Sequence, residues 1–263
     1  MPHTIQSLLT QDKAALESAL SLDSGSAHIE VQCLLQAVLQ VNRAWLLTHP
    51  EQILDAEQQA HYAALFERRL RGEPIAYILG EREFYGLNFR VTPATLIPRA
   101  DTELLVEVAL QRIPSPLPLS RERERGERSG GRGFRVLDLG TGSGAIALSI
   151  AHARPDIEVT AVDASTEALE VARENAWRLN IGNAHLLRSD WFTALQGERF
   201  DLIVSNPPYI ADGDAHLAQG DLRFEPRDAL ASGADGLDDI RRIVARAKKV
   251  IGDAPRYFLQ RHN

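Results

Sequence analysis

The sequence predicts an α/β protein: a mostly parallel sheet covered by helices on both faces, preceded by a small helical bundle, with a β-hairpin between the two. Three observations carry the prediction. Residues up to about 73 show only helical periodicity, residues 81–91 read EREFYGLNFRV, and from Phe134 onward apolar strand-like runs alternate with helical ones. Continuous apolar strands separated by helices are the pattern of a parallel sheet buried on both faces.

The first region spans residues 1–73. In IEVQCLLQAVLQV, Val31, Leu34, Leu35, Val38 and Leu39 recur at helical spacing. RAWLLTHPE reads as a turn anchored by Trp45, and DAEQQAHYAALFERRLRG as a helix capped by Asp55 and stopped at Gly72, with Pro74 beyond. No catalytic pattern lies here. Its polar faces read first as solvated surface and second as a surface for a partner protein. Residues 74–100 hold the hairpin, with Gly86 between two short runs rich in aromatic and β-branched residues.

The third region, 101–263, opens on a helix that Asp101 or Thr102 can cap and that runs to about Ile113. Residues 113–133, IPSPLPLSRERERGERSGGRG, interrupt it: prolines, then alternating Arg and Glu, then glycines suit a disordered surface insertion. FRVLDLG, IEVTAVD, AHLLRSD and RFDLIVSN follow as strands, with GAIALSIAHAR and STEALEVARENAWRLNIG as helices between them, the second ended by Gly182. Right-handed crossovers place the strand C-terminal ends along one edge, where ligands of such sheets bind. Asp138, Gly140, Asp163, Asp190 and Asn206 all fall at those ends, so they are expected to form one site.

Composition narrows the function classes. A net charge of −7 and a pI near 5.6 argue against a broad electrostatic grip on nucleic acid. The one cysteine, Cys33, reads as a buried helix residue and has no partner for an internal disulfide, which fits a reducing cytosol. No apolar run reaches the ~18 residues of a membrane helix, and the N-terminus lacks a signal-peptide pattern. A soluble, cytoplasmic protein is expected.

LDLGTGSGAIAL joins a strand to a helix through Gly140, Gly142 and Gly144, with Thr141 and Ser143 between them. Such a loop lets the backbone come close to a ligand. With Ala145 it also satisfies the loose dinucleotide pattern, and a purely structural turn fits it too. Asp138 shifts the balance, because its carboxylate would repel a pyrophosphate and attract an ammonium or a sulfonium; the rival reading is a carboxylate capping the turn. Asp163 ends the second strand and is placed to accept hydrogen bonds from ribose hydroxyls. NAD sites use such an acid too, so Asp163 supports a nucleoside without choosing between cofactors, and it is Asp138 that points to S-adenosylmethionine. Asp190 is placed to accept from the adenine amino group. Trp191 offers a flat surface to the cofactor, or else fills space beneath the sheet edge.

The fourth strand delivers Asn206-Pro207-Pro208-Tyr209 to the same edge. The prolines fix their own φ angles and bias the residue before each toward extended geometry. The Asn206 side-chain oxygen and the Pro207 carbonyl can therefore take both hydrogens of a planar NH₂ group, with Tyr209 against the flat group that carries it. This is a clamp for an sp² amino nitrogen: a carboxamide, or the exocyclic amine of adenine or cytosine. Holding both hydrogens aims the nitrogen lone pair, and orientation of this kind supplies roughly 7–11 kcal/mol in favourable systems. No general base is needed before attack, since the proton leaves after nitrogen becomes cationic. A merely rigid turn is the plain alternative.

These segments, with RAWLLTHPE, GEPIAYILGEREFYGLNF, LIPRADTE and FEPRDALASGADGLDDIRRIV, resemble the N5-glutamine methyltransferases, and within them the family acting on peptide chain release factors. The resemblance covers nearly the whole chain. It implies a class I S-adenosylmethionine-dependent methyltransferase domain, Rossmann-like, and methyl transfer to the glutamine of the GGQ motif in class-one release factors, leaving S-adenosyl-L-homocysteine. It also implies that the N-terminal helices help hold the protein substrate, that the glycine loop, Asp163, Trp191 and Asn206 hold the cofactor, and that NPPY holds the glutamine. No metal, membrane or direct nucleic-acid contact is expected, and the chain is expected to be a monomer. Three other readings stay open: a ribosomal-protein glutamine as substrate, a nucleic-acid amino group, which requires base extrusion and a grip on a polyanion, and a non-catalytic binding remnant. After LDDIRRIVARAKKVI the family continues into further strands, whereas here only GDAPRYFLQRHN follows. Residues 256–260 are expected as an uncovered edge strand in a sheet lacking its last strands. Reduced stability is expected with it, and loss of activity at the extreme.

Overall fold

The computed structural model describes residues 4–115, 133–251 and 257–260. Most of the expected 113–133 insertion thus lies outside the described residues. The chain divides into two compact units, residues 1–80 with 218–224, and residues 81–217 with 225–263.

The helical unit contains α1 (Ile5–Leu20), α2 (Ser24–Leu39), α3 (Arg43–Thr48), α4 (Ala56–Leu70) and α5 (Ile75–Leu79). Thr4, Asp23, Asn42 and Asp55 cap the first four by accepting first-turn N–H groups, and Asp55 forms a reciprocal capping box with Gln58. Ile5, Leu16, Val31, Leu34, Leu35, Leu46 and Leu54 fill its core. RAWLLTHPE is therefore not a turn. Asn42 accepts the Trp45 N–H at 2.9 Å and starts α3, Leu46 is buried, and Trp45 stacks on His49. Cys33 is half-buried rather than buried.

In the α/β unit, β1 (Glu81–Phe84) and β2 (Leu87–Arg90) form the predicted antiparallel hairpin. Tyr85 and Gly86 both take positive φ at its two-residue turn, which matches the twist of the flanking strands. A 3₁₀ turn over Ala100–Thr102 leads into α6 (Glu103–Arg112). Thr102 does not cap α6 through its side chain: it already has helical backbone angles and makes no cap bond.

The main sheet is built from β3 (Arg135–Leu139), β4 (Glu158–Asp163), β5 (Ala184–Arg188), β6 (Leu202–Ser205) and β7 (Tyr257–Leu259), in the order β5-β4-β3-β6-β7. Every pairing is parallel. Helices α7 (Ala145–Ala153), α8 (Thr166–Arg178) and α9 (Asp238–Val250) complete the layers. On one face Val136, Val159, Ala161, Leu202 and Val204 pack with Ile146, Leu148 and Ile150. On the other, Leu137, Leu139, Val162 and Ile203 pack with Phe192, Phe200 and Ile243. Helix α8 stops at Leu179, three residues before Gly182, because Asn180 takes the left-handed conformation. Asparagine is one of the few side chains that visit it routinely. β7 stands at the sheet edge inside the predicted 256–260 span. Strand order reverses at β3, between β4 and β6, which makes the crevice outside their C-terminal ends the expected ligand site.

Candidate active site

That crevice is a cleft of about 680 Å³, within the range of small-molecule sites. Of the residues that the sequence singles out for a site, Gly140, Gly142, Asp163, Asp190, Trp191, Asn206 and Pro208 line it. Asp138, Thr141, Ser143, Gly144, Pro207 and Tyr209 are not part of its wall.

The loop leaving β3 is held by the neighbouring strand, with the Gly140 and Thr141 N–H groups donating to the Val162 carbonyl at 2.9 and 3.0 Å. Gly140, Gly142 and Gly144 have φ of 72, 56 and 85°, a region costly for other residues. A Cβ on Gly140 would lie 3.5 Å from the Trp191 ring, so loop and ring face each other. Asp163 braces the loop from β4: its Oδ2 accepts the Gly142 N–H at 2.8 Å and its Oδ1 the Ser165 N–H at 2.9 Å.

Asp138 is fully buried. Its Oδ2 accepts the Thr141 hydroxyl at 2.7 Å, while Oδ1 makes no hydrogen bond of normal geometry. Burial pushes its carboxyl up to about 7; the Thr141 bond and the Ala147 N–H oppose that, and the Asp163 charge adds to it. The turn-capping reading is thus realised in part, and the carboxylate supports the loop from behind rather than lining the cleft.

Trp191 stands between the cleft and the core. Its ring lines the cleft and packs against the core face of Leu137, Leu139 and Ile203. Its Nε1–H donates to Asp239 Oδ1 at 3.0 Å. Asp190 is exposed and paired through both oxygens with Arg242 at 3.0 Å.

At the end of β6, Asn206 Oδ1 is buried and accepts no hydrogen bond. Pro207 and Pro208 beside it are buried. The chain beyond them is fixed by a short backbone ladder: Tyr209 and Ile210 donate to the Leu230 carbonyl, and Ser232 donates to that of Ile210. Tyr209 is half-buried, and burial pushes its phenol up while nearby Arg99 opposes the shift. Glu225, its side chain wholly buried, pairs with Arg99 and accepts the Ile97 N–H at 2.9 Å.

Sequence reasoning missed Glu225, Asp239 and Arg242. They lie far along the chain from the glycine loop and outside NPPY, in FEPRDALASGADGLDDIRRIV, a segment quoted for its resemblance and not for any chemistry of its own. The charge of the wall has a clear sense. Asp163, Glu167, Asp190, Asp228 and Asp239 face a single guanidinium, Arg242, which favours a cationic ligand over a polyphosphate.

Comparison with known proteins agrees. Residues 7–80 match the PrmC N-terminal domain family and residues 127–233 the methyltransferase small domain family. The release factor glutamine methyltransferase of Xylella fastidiosa (strain 9a5c) is 51% identical over 220 residues, 84% of this chain and 74% of that protein. That of Vibrio cholerae is 46% identical over 254 residues, 96% of this chain and 82% of that one. For Salmonella typhimurium the figures are 46% over 229 residues, 87% and 77%. The chain belongs to the release factor glutamine methyltransferase family. The methyl donor of this family member is S-adenosylmethionine. The cleft fits that donor: its wall is acidic against an ammonium and a sulfonium, its glycine loop leaves room for close backbone approach, and Trp191 offers a flat apolar face. Among the described residues no helix is long and apolar enough to cross a membrane.

Proposed function

We propose that this chain methylates the side-chain amide nitrogen, N5, of the glutamine in the GGQ motif of class-one peptide chain release factors. When bound, S-adenosylmethionine supplies the methyl group as an electrophilic sulfonium. The chain's own residues supply position and charge. Gly140 to Gly144, Asp163, Asp190 and Trp191 hold the donor, with Asp138 and Thr141 fixing the loop beneath it. Asn206 Oδ1 and the Pro207 carbonyl accept the two amide hydrogens, Pro208 stiffens the segment, and Tyr209 packs the amide plane.

One observation supports this most. Asn206 lines the cleft in a proline-stiffened segment, and its Oδ1 is a buried acceptor with no partner. A buried polar atom is almost always satisfied, so an orphan in a cleft marks where a donor arrives. An amide nitrogen is a weak nucleophile because its lone pair is delocalised. Fixing both hydrogens orients that lone pair, and the proton is lost to solvent after transfer, so no basic side chain is required.

In the same reading, residues 1–73 form a domain that holds the release factor, 74–100 a linking hairpin, and 101–263 the methyltransferase domain of a cytoplasmic monomer. The test is incubation of the full chain with methyl-labelled S-adenosylmethionine and a full-length class-one release factor. Label on the GGQ glutamine, lost with Asn206→Ala while donor binding persists, is expected. Label on another residue, or undiminished labelling by the variant, would overturn the assignment.

A further inference from the structure

We infer that Asp239 is a positioning residue for donor binding: it holds the Trp191 ring over the glycine loop and ties it to the segment that follows NPPY. The inference rests on the proposed role of the cleft.

Trp191 has φ of 50°, a left-handed conformation that an aromatic residue keeps only when its surroundings enforce it. Two groups do so here. Ser189 Oγ donates to the Trp191 carbonyl at 2.8 Å and holds the backbone. Asp239 Oδ1 accepts the indole Nε1–H at 3.0 Å and holds the ring. An indole has one donor and no acceptor, so this single bond fixes the ring's azimuth above Gly140.

The other oxygen of Asp239 is equally engaged. Oδ2 accepts the Ser232 hydroxyl at 2.8 Å, and the Ser232 oxygen in turn accepts the Asp239 N–H at 2.8 Å. Ser232 is buried, and its own N–H donates to the Ile210 carbonyl at 2.9 Å, one residue past Tyr209. A continuous chain of hydrogen bonds therefore runs from the ring on the donor side, through Asp239 and Ser232, to the segment carrying the amide clamp. Arg242 Nη1, 3.3 Å from Oδ1, completes the shell of the carboxylate. A carboxylate is suited to this place because Oδ1 accepts from Trp191 and Arg242 and Oδ2 from Ser232; an asparagine would turn its NH₂ either toward the indole N–H and the guanidinium or toward the Ser232 hydroxyl, which would have to reverse its bond.

Asp239 thus acts through Trp191. Its removal should weaken donor binding and leave Asn206 with its clamp geometry. The experiment is calorimetric titration of the full chain with S-adenosyl-L-homocysteine, for wild type, Asp239→Ala, Asp239→Asn, Trp191→Phe and the Asp239→Ala/Trp191→Phe double variant. Thermal melts report folding. Asp239→Ala should weaken binding about tenfold, in keeping with loss of a hydrogen bond to a charged acceptor. The double variant should bind within about twofold of Trp191→Phe, since both changes break one interaction. The KM for S-adenosylmethionine should rise with kcat little changed, a split that general destabilisation would not produce. Ser232→Ala gives a second route to the same loss if Asp239→Ala melts below the assay temperature. Wild-type affinity in folded Asp239→Ala, or in folded Ser232→Ala where that variant stands in, overturns the inference. So do losses from Asp239→Ala and Trp191→Phe that multiply. A wild-type chain that binds no S-adenosyl-L-homocysteine overturns the reading of the cleft itself, and this inference with it.

Discussion

Gly236→Ala should damage methyl transfer without touching substrate or donor. A Cβ at this position would stand 2.2 Å from the Tyr209 carbonyl oxygen, 2.8 Å from its carbon and 3.2 Å from the Ala211 nitrogen. All three are backbone atoms, so no rotamer change relieves the clash. Opening 2.2 Å to the 3.0 Å that real Cβ atoms tolerate moves one chain by about 0.8 Å against steep repulsion. The ladder between residues 209–212 and 230–233 transmits that shift to Tyr209 and the prolines. A misplacement near 1 Å at a reacting group costs on the order of 10²-fold in rate, so kcat should fall by about that factor while donor binding changes little. Gly236 also has φ of 75°, which for alanine adds about 1–2 kcal/mol of backbone strain. Gly197→Ala is the matched control. It has φ of 80° with nothing within 4 Å of the added Cβ, so it shares the strain without the clash and should keep its kcat. Initial rates of label transfer to a full-length release factor, with melting temperatures beside them, separate the two effects. A folded Gly236→Ala variant with kcat within about threefold of wild type would refute the view that this backbone contact sets the clamp.

Three other outcomes are expected. Burial raises Asp138 to about 7 from an unfolded value near 3.9. Its contribution to stability is therefore complete below about pH 4 and lost as pH rises through 7; denaturant midpoints at pH 5 and pH 8 should differ less in Asp138→Asn, and an unchanged difference would count against the carboxyl's buried, proton-holding state. Glu225→Gln breaks the buried pairing with Arg99 and disturbs the acceptor for the Ile97 N–H. Because Arg99 keeps some solvent access, the cost should be about 2 kcal/mol rather than the 3–5 of a fully buried pair, measurable as a lower denaturant midpoint. A release factor carrying glutamate in place of the GGQ glutamine should take no label at that position, and labelling there would show that the clamp does not read NH₂.

The sheet and its ligand edge were legible because parallel strands buried on both faces are continuous apolar runs, and FRVLDLG, IEVTAVD and RFDLIV are such runs. The glycine loop and NPPY were legible because their chemistry is local: three left-handed glycines and two fixed φ angles lie within a few residues. Helix α3 was missed because His49 and Pro50 look like a turn, while the cap that starts the helix is Asn42, before the stretch that was read. The end of α8 was misplaced because Asn180 does the work expected of Gly182. Asp138 was placed correctly in the chain but not in depth, since burial is a property of the packed sheet and not of spacing. Asp239 reaches Trp191 across 48 positions, and Glu225 reaches Ile97 across 128. No local pattern encodes such contacts.

In the proposed reading, the orphaned oxygen of Asn206 would make the clamp select a primary amide. Leaving a buried acceptor unpaired costs the fold about 1–3 kcal/mol. A donor entering the cleft would recover that penalty. A primary amide brings two hydrogens in one plane, one for Asn206 and one for the Pro207 carbonyl. A hydroxyl brings one and leaves the second acceptor empty. A carboxylate brings none and sets its charge against two acceptors and an acidic wall. Sites built to hydrogen-bond an NH or OH reject analogues that lack it by about 10⁴–10⁵, because the site's own polar groups are left unpaired. In that reading, the same unpaired atom that weakens the empty fold would be the source of its discrimination.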